Sequence, residues 1–142
     1  MTMASQHPNQ SQDWLDLARE RGNDADAIYQ ARSTSIGCVY MAGYAIECSL
    51  KALLRDRNVG FPKHGNEGHN LRGLWEAAKF RLSDLHDSKG AKTFFIESWD
   101  TSLRYQLSLD SSISIAELLD GAKQLTRQIQ QQLRRQSRRK SR

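Results

Sequence analysis

The strongest constraint on the fold is one long helical pattern in the first half of the chain. Between about Ser33 and Arg57, apolar residues and one glycine recur at steps of three and four, which is the spacing of one helix face. They are Ile36, Val39, Tyr40, Gly43, Ile46, Leu50, Leu53 and Leu54. Beside this face runs a stripe of small residues that would let a neighbouring helix approach closely, namely Cys38, Ala42, Ala45, Ser49 and Ala52. We therefore expect this helix at the centre of a helical bundle.

Further helices are predicted on both sides of this central one. Their apolar residues also recur at helical spacing, and no alternating run is long enough to indicate a sheet. The last helix has the clearest start, because Ser114 and Glu117 form a Ser-x-x-Glu capping box. The expected spans are Ser11, as the cap, to Ile28; His69 or Asn70 to Phe80; Ser88 to Tyr105; and Ser114 to Leu133. The sequence predicts an all-α bundle.

The charge distribution divides the chain into a neutral body and a basic end. The formal net charge is +5. The length of 142 residues suits one domain. The excess comes from Arg134, Arg135, Arg138, Arg139, Lys140 and Arg142, with no acid among them. We expect a flexible leader over residues 1–10, a bundle over 11–133 and a basic disordered tail over 134–142. Such a tail is either a solvated end or a contact for RNA, DNA or an acidic partner.

Cysteine spacing and hydropathy bear on the compartment. Cys38 and Cys48 are ten residues apart on the predicted central helix, so they lie about 15 Å apart and cannot form a disulfide with each other. The chain has no apolar run long enough to span a bilayer and no signal-peptide pattern at its start. We expect a cytoplasmic protein without a membrane partner.

Three motifs together resemble one known family. Residues 43–54 read GYAIECSLKALL, residues 68–74 read GHNLRGL, and Trp99 precedes Arg104 and Tyr105 ahead of the last helix. In this order they resemble the HEPN domains, the higher eukaryote and prokaryote nucleotide-binding family, over residues 12 to 133. The resemblance implies an up-and-down bundle of four to five helices that is commonly a homodimer. It also implies nucleotide or RNA binding, and a partner such as a nucleotidyltransferase or an antitoxin in a toxin-antitoxin or defence system.

One branch of that family cleaves RNA without a metal, and the resemblance implies an Arg-x(4–6)-His motif from each of two protomers. Arginine can hold the phosphate while histidine moves a proton near neutral pH. Two pairs match here, Arg81 with His86 and Arg57 with His64. The family motif belongs beside the fourth helix, where Arg104 stands without a later histidine. Arg81 and His86 are therefore either catalytic residues or ordinary exposed residues at the end of a helix.

Glu47 and Lys51 are four residues apart, so they can form an ion pair on the helix surface. Because Glu47 borders the apolar face, it can instead be a buried carboxylate that receives Arg104 or the His69 ring. His64, Glu67 and His69 lie close in sequence but lack a fourth zinc ligand, and no Gly-Lys-Ser or Gly-Lys-Thr phosphate loop is present. We expect no metal and no cofactor.

Two functional hypotheses remain. In the first, the chain is a nucleotide- or RNA-binding module with a polar site between helices, formed by Arg104, Tyr105, His69, Lys51 and Glu47. In the second it is a dimeric, metal-independent ribonuclease that uses Arg81 and His86. The three tryptophans, Trp14, Trp75 and Trp99, either fill the core or stack on bases. The sequence leaves open whether the chain is an enzyme.

Overall fold

A computed structural model describes residues 8–61, 69–109 and 112–140 of the chain. Within these ranges all regular structure is helical, which confirms the all-α prediction. The α-helices are α1 (Ser11–Ala31), α2 (Gly37–Asp56), α3 (Leu71–Ala77), α4 (Ala91–Ser98) and α5 (Ile115–Lys140), and two short 3-10 helices cover Leu82–Asp84 and Thr101–Tyr105. No helix in the described part of the chain is long and apolar enough to cross a membrane.

Helix α2 lies at the centre of the bundle, as its sequence pattern predicts. It contacts α1 and α5 along its length, and α3 and the second 3-10 helix more locally. Of its 20 residues, 14 are buried, so it has neighbours on nearly every side, as expected for a core helix. The predicted start at Ser33 was too early, because Ser35 forms a turn with Arg32 before the helix begins at Gly37.

The small-residue stripe of α2 is covered within the protomer. Ala45 faces Gly22 of α1, where an added Cβ would lie 4.0 Å from the Ala45 Cβ. Ser49 accepts a hydrogen bond at 3.2 Å from the Gln130 amide of α5. Small side chains thus allow α1 and α5 to approach α2 closely. The stripe does not require a second chain to cover it, so the predicted homodimer depends on the family resemblance alone.

The start of α1 differs from the prediction that Ser11 is its cap. Gln10 occupies the cap position, and Ser11 is the first helical residue. The Ser11 hydroxyl donates to the Ala52 carbonyl of α2 at 2.8 Å, so this side chain ties two helices together. The Asp13 carboxylate accepts the backbone N–H of Gln10 at 2.9 Å, which satisfies a group that the helix start would leave unpaired.

The third and fourth predicted helices are shorter than expected. Helix α3 ends at Ala77, and Phe80 lies beyond it with its ring stacked on Trp75 at 4.3 Å. Helix α4 ends at Ser98, because Trp99 takes an extended backbone with ψ of 132°. The chain then forms the 3-10 helix Thr101–Tyr105, which the Asp100 carboxylate caps through the Ser102 N–H at 2.7 Å.

Helix α5 begins as predicted and ends later than predicted. The Ser114 hydroxyl accepts the Glu117 N–H at 3.1 Å, which is one half of the capping box. The helix then continues to Lys140, so residues 134–140 are helical rather than part of a disordered tail. The Gln136 amide donates to Asp56 at 2.9 Å, and its oxygen accepts from Arg57. These contacts fasten the last turns of α5 to the end of α2.

Candidate functional site

A cavity of about 450 Å³ opens between α1 and α2. Its walls are mostly apolar and aromatic, with a few charged groups, a combination that is typical of small-molecule sites. The residues that line it are Pro8, Trp14, Leu17, Arg21, Met41, Tyr44, Glu47, Cys48, Lys51 and His69. Three of these, Glu47, Lys51 and His69, are site residues that the sequence predicts.

Glu47 links Lys51 and His69 into one cluster, in which Glu47 and Lys51 are buried and His69 is part-buried. One carboxylate oxygen, Oε2, accepts from the Lys51 Nζ at 3.1 Å, and the other, Oε1, lies 2.7 Å from the His69 Nδ1. Glu47 is 3% exposed and Lys51 1%, so their ion pair is buried rather than on the helix surface. The alternative in which Glu47 receives the His69 ring is confirmed. A carboxylate at Nδ1 fixes the orientation of the imidazole.

Lys51 is held as a buried cation against aromatic rings. Its Nζ lies 4.9 Å from the centre of the Trp14 ring and 5.7 Å from that of Phe61, distances at which a cation is attracted to the ring face. An ammonium has three donors, and Glu47 is the acceptor found for it among the described residues. Lys51 therefore has unused donor capacity beside the cavity.

Tyr44 forms the other wall and links the cavity to an aromatic cluster. Its ring meets Trp99 edge-on at 5.4 Å and His69 at 5.9 Å, and its hydroxyl lies 2.9 Å from that of Tyr40. Burial, followed by the hydrogen bond with Tyr40, raises the pKa of Tyr44 well above its ordinary value. The Tyr44 hydroxyl thus stays protonated and can act as a hydrogen-bond donor at any physiological pH.

Gly43 explains how Trp99 reaches this cluster. A Cβ added at Gly43 would lie 2.0 Å from the Trp99 Cε2, so the indole packs directly on the backbone of α2. Only glycine leaves room for this contact. Trp99 in turn supports Tyr44, which forms the cavity wall.

Arg21 of α1 and Cys48 of α2 complete the lining. Arg21 is half-buried, and its Nε lies 3.0 Å from the Asp24 carboxylate without the alignment of a hydrogen bond. The solvent-accessible ion pair with Asp24 offsets part of its charge, and its Nε–H lacks an aligned acceptor. Burial, and then the negative charge of Glu47, raises the pKa of Cys48 to about 12. The Cys48 thiol stays protonated and fills space rather than acting as a nucleophile.

Arg104 and Tyr105 lie outside the cavity, so the predicted pair of Arg104 with Glu47 is wrong. Both side chains are exposed, and the Arg104 guanidinium lies over the Tyr105 ring at 4.9 Å. The hydroxyls of Tyr105 and Tyr40 raise the pKa of Arg104. The physical reason is the break at Trp99: in the 3-10 helix that follows, Leu103 faces the core and Arg104 faces solvent.

The residues of the second hypothesis lie elsewhere. Arg81 and His86 are exposed, and the His86 carbonyl accepts from Lys92 at 3.2 Å. His86 borders a surface depression with Asp87, Lys89 and Lys92, and Arg81 is not among the residues that line it. His64 and Glu67 lie outside the described residues, and within those residues no group of three potential ligands could hold a metal ion.

Sequence reasoning missed Arg21, Met41 and Tyr44 as lining residues, and weighed Trp14 mainly as a core residue. One signal was present for Arg21. The apolar stripe of α1 runs from Trp14 and Ala18 to Ala25 and Ile28, and Arg21 occupies the position between them. A cation inside an apolar stripe indicates either a buried ion pair or a site. No comparable signal marks Met41, which reads as an ordinary core residue.

Comparison with protein-family models, with curated proteins and with solved structures finds no match to this chain.

Proposed function

We propose that the chain is a binding module of the HEPN type and that the cavity between α1 and α2 takes a nucleotide. The observation that supports this most is the chemistry of the cavity itself, in which apolar and aromatic walls meet a buried charged cluster. A nucleotide has the same two parts, a flat apolar base and a charged phosphate.

The two ends of such a ligand have matching groups in the cavity. Trp14, Met41 and Tyr44 offer ring faces and a flexible apolar side chain for a base. Arg21, with its partly neutralised guanidinium, and His69, with one ring nitrogen on Glu47, offer hydrogen-bond donors for a phosphate. The buried Lys51 is paired with Glu47, and its remaining N–H groups are further donors beside the cavity.

The family resemblance supports the same assignment and extends it. It implies a homodimer, and a nucleotidyltransferase or antitoxin partner in a toxin-antitoxin or defence system. Multi-angle light scattering tests the dimer: a mass of about twice the 16.2 kDa of the chain at micromolar concentration supports it, and the monomer mass contradicts it.

The alternative is a dimeric ribonuclease that uses Arg81 and His86. These residues lie in exposed positions away from the cavity, so the geometry favours binding over cleavage. Expression in cells with an RNA-integrity readout decides between them. RNA decay that His86→Ala abolishes supports cleavage, whereas intact RNA with both proteins supports a binding module.

Calorimetric titration with ribonucleoside mono- and triphosphates tests the cavity directly. We expect one site per protomer, and we expect Arg21→Gln to weaken binding by about tenfold or more, because it removes a charge-assisted hydrogen bond. Arg32→Gln is a matched control, since Arg32 is exposed just beyond α1. Equal losses in both variants, or no binding by the wild type, would contradict the proposal.

A further inference from the structure

We propose that a second groove, lined by other residues of α1 and α2 than the cavity, binds the phosphate backbone of single-stranded RNA. This groove of about 480 Å³ lies between the start of α1, the end of α2 and the last turns of α5. Its lining includes three arginines, Arg19 of α1 and Arg134 and Arg138 of α5. The proposal does not depend on the cavity function.

The three guanidiniums converge because of helix geometry. Arg134 and Arg138 are four residues apart on α5, so they stand on one face about 6 Å apart along the axis. Arg19 is 115 positions away from Arg134 in sequence, and because α1 and α5 both pack on α2, it lines the same groove. Arg19 therefore lines the groove with Arg134 and Arg138 only in the folded bundle.

The groove is lined by three positively charged side chains and one carboxylate, so positive charge is in excess. None of the three arginines has an ion-pair or hydrogen-bond partner among the described residues, and no acid follows Asp120 in the chain. The one carboxylate in the lining is Asp56, which accepts from Gln136 at 2.9 Å. Arginines on the rim of a concave site focus an attractive field on anions.

The rest of the lining indicates which polyanion fits. It contains no aromatic side chain, so it lacks the usual stacking platform for bases, and its arginines would contact mainly the phosphate backbone. The Gln130 amide nitrogen is held by Ser49 at 3.2 Å, which leaves its oxygen as an acceptor in the groove. An acceptor at this place suits the 2′-hydroxyl of RNA, a donor that DNA lacks.

Fluorescence anisotropy with a labelled, unstructured oligoribonucleotide over a range of salt concentrations tests the groove. We expect Arg134→Gln with Arg138→Gln to lower the slope of log K against log salt by about 1.4, since each neutralised phosphate contributes about 0.7 for a single strand. The matched control is Arg135→Gln with Arg139→Gln, on the same two turns but outside the groove. We expect this control to change the slope little.

Arg19→Gln separates the groove from a general attraction to the basic helix. We expect it to weaken RNA binding and reduce the slope, whereas Arg32→Gln, also at α1 but outside the groove, leaves both unchanged. Glutamine is a good helix former, so far-UV circular dichroism should stay constant. Equal effects of groove and control variants, or no effect of Arg19→Gln, would overturn the proposal. Equal affinity for the DNA of the same sequence would overturn the assignment to RNA.

Discussion

Glu47 is the residue on which the cavity depends most. It is the shared acceptor of Lys51 and His69, and both it and Lys51 are almost completely buried. Replacing a buried ion pair by apolar residues costs little, but removing one partner leaves the other charge without compensation. The cluster is therefore sensitive to single changes and tolerant of a matched double change.

Glu47→Gln should lower the free energy of unfolding by roughly 3–5 kcal/mol, because it leaves the Lys51 ammonium buried without a counter-charge. Urea unfolding measures this loss. The double variant with Glu47→Leu and Lys51→Met removes both charges. Its loss in free energy of unfolding should be clearly smaller than the sum of the losses in the single variants Glu47→Leu and Lys51→Met. Strictly additive losses would show that the two groups do not interact.

Arg104→Ala should leave the melting temperature nearly unchanged, because its guanidinium is exposed and lies over an exposed tyrosine ring. Thermal unfolding followed by circular dichroism measures it, with Glu47→Gln as the destabilised reference. A large drop in melting temperature would contradict this and would support the buried pair of Arg104 with Glu47 that the sequence suggested.

Arg104 and His69, the two partners proposed for Glu47, show how far the contacts of a single residue can be predicted from sequence. Its spacing from Lys51 and its place beside the apolar face are local properties, and they pointed to a buried carboxylate that receives either Arg104 or His69. Whether Arg104 or His69 contacts Glu47 depends on the residue at which α4 ends. That stop is set by Trp99 packing on Gly43, a contact between segments that no local pattern contains.

At the scale of elements, Gly43 sets how closely the segment after α4 approaches α2. Gly43→Ala should lower stability by roughly 1–3 kcal/mol or more, because the new Cβ overlaps the Trp99 ring. Gly73→Ala is the control, since Gly73 is exposed in α3 and an added Cβ meets nothing nearer than 3.5 Å. It should be neutral or stabilise by about 0.5–1 kcal/mol. Chemical denaturation compares the two, and equal effects would contradict this role of Gly43.

Asp87 holds the start of α4. Its carboxylate accepts from the Thr93 N–H at 2.8 Å, the Thr93 hydroxyl at 2.7 Å and the Lys92 N–H at 3.2 Å. Partial burial alone would raise the pKa of Asp87, but these hydrogen bonds outweigh it and hold the pKa below its ordinary value. The ionised form therefore stabilises the folded state.

A lowered pKa in the folded state means that this stabilisation is present above the unfolded pKa of about 3.9 and is lost as the pH falls through the lower folded value. We expect wild type to be more stable than Asp87→Asn by about 0.3–1 kcal/mol near neutral pH, which is the contribution of a negative charge at a helix N-terminus. The difference should shrink below about pH 4. Unfolding curves at several pH values measure this, and a difference that does not vary with pH would contradict the role of the charge.

The elements differ in how well sequence predicts them. The start of α5 was predictable because Ser114 and Glu117 are three residues apart and act within one turn. The cap of α1 was not, because Ser11 is used instead to reach the Ala52 carbonyl of α2. The end of α5 was also missed, since Gln136 gains its partners from α2.

At the scale of the whole molecule, α2 organises both proposed sites. Its pattern predicts the bundle, and it supplies Glu47, Lys51, Tyr44 and Met41 to the cavity and Asp56 to the groove. The cavity itself could not be predicted, because its lining combines side chains of α1, of α2 and of the segment before α3, which are far apart in sequence. The basic end of α5 was recognised from composition, but its place in one groove with Arg19 requires that α1 and α5 both pack on α2.

The cavity is tested most directly by nuclear magnetic resonance of the tryptophan indole N–H groups during titration with a ribonucleotide. Trp14 lines the cavity, whereas Trp75 is fully buried against Phe80 away from it. Trp14→Phe assigns the first signal. We expect the Trp14 indole signal to shift saturably at one ligand per protomer while the Trp75 signal stays fixed. A Trp14 signal that does not move at any nucleotide concentration would contradict nucleotide binding in this cavity.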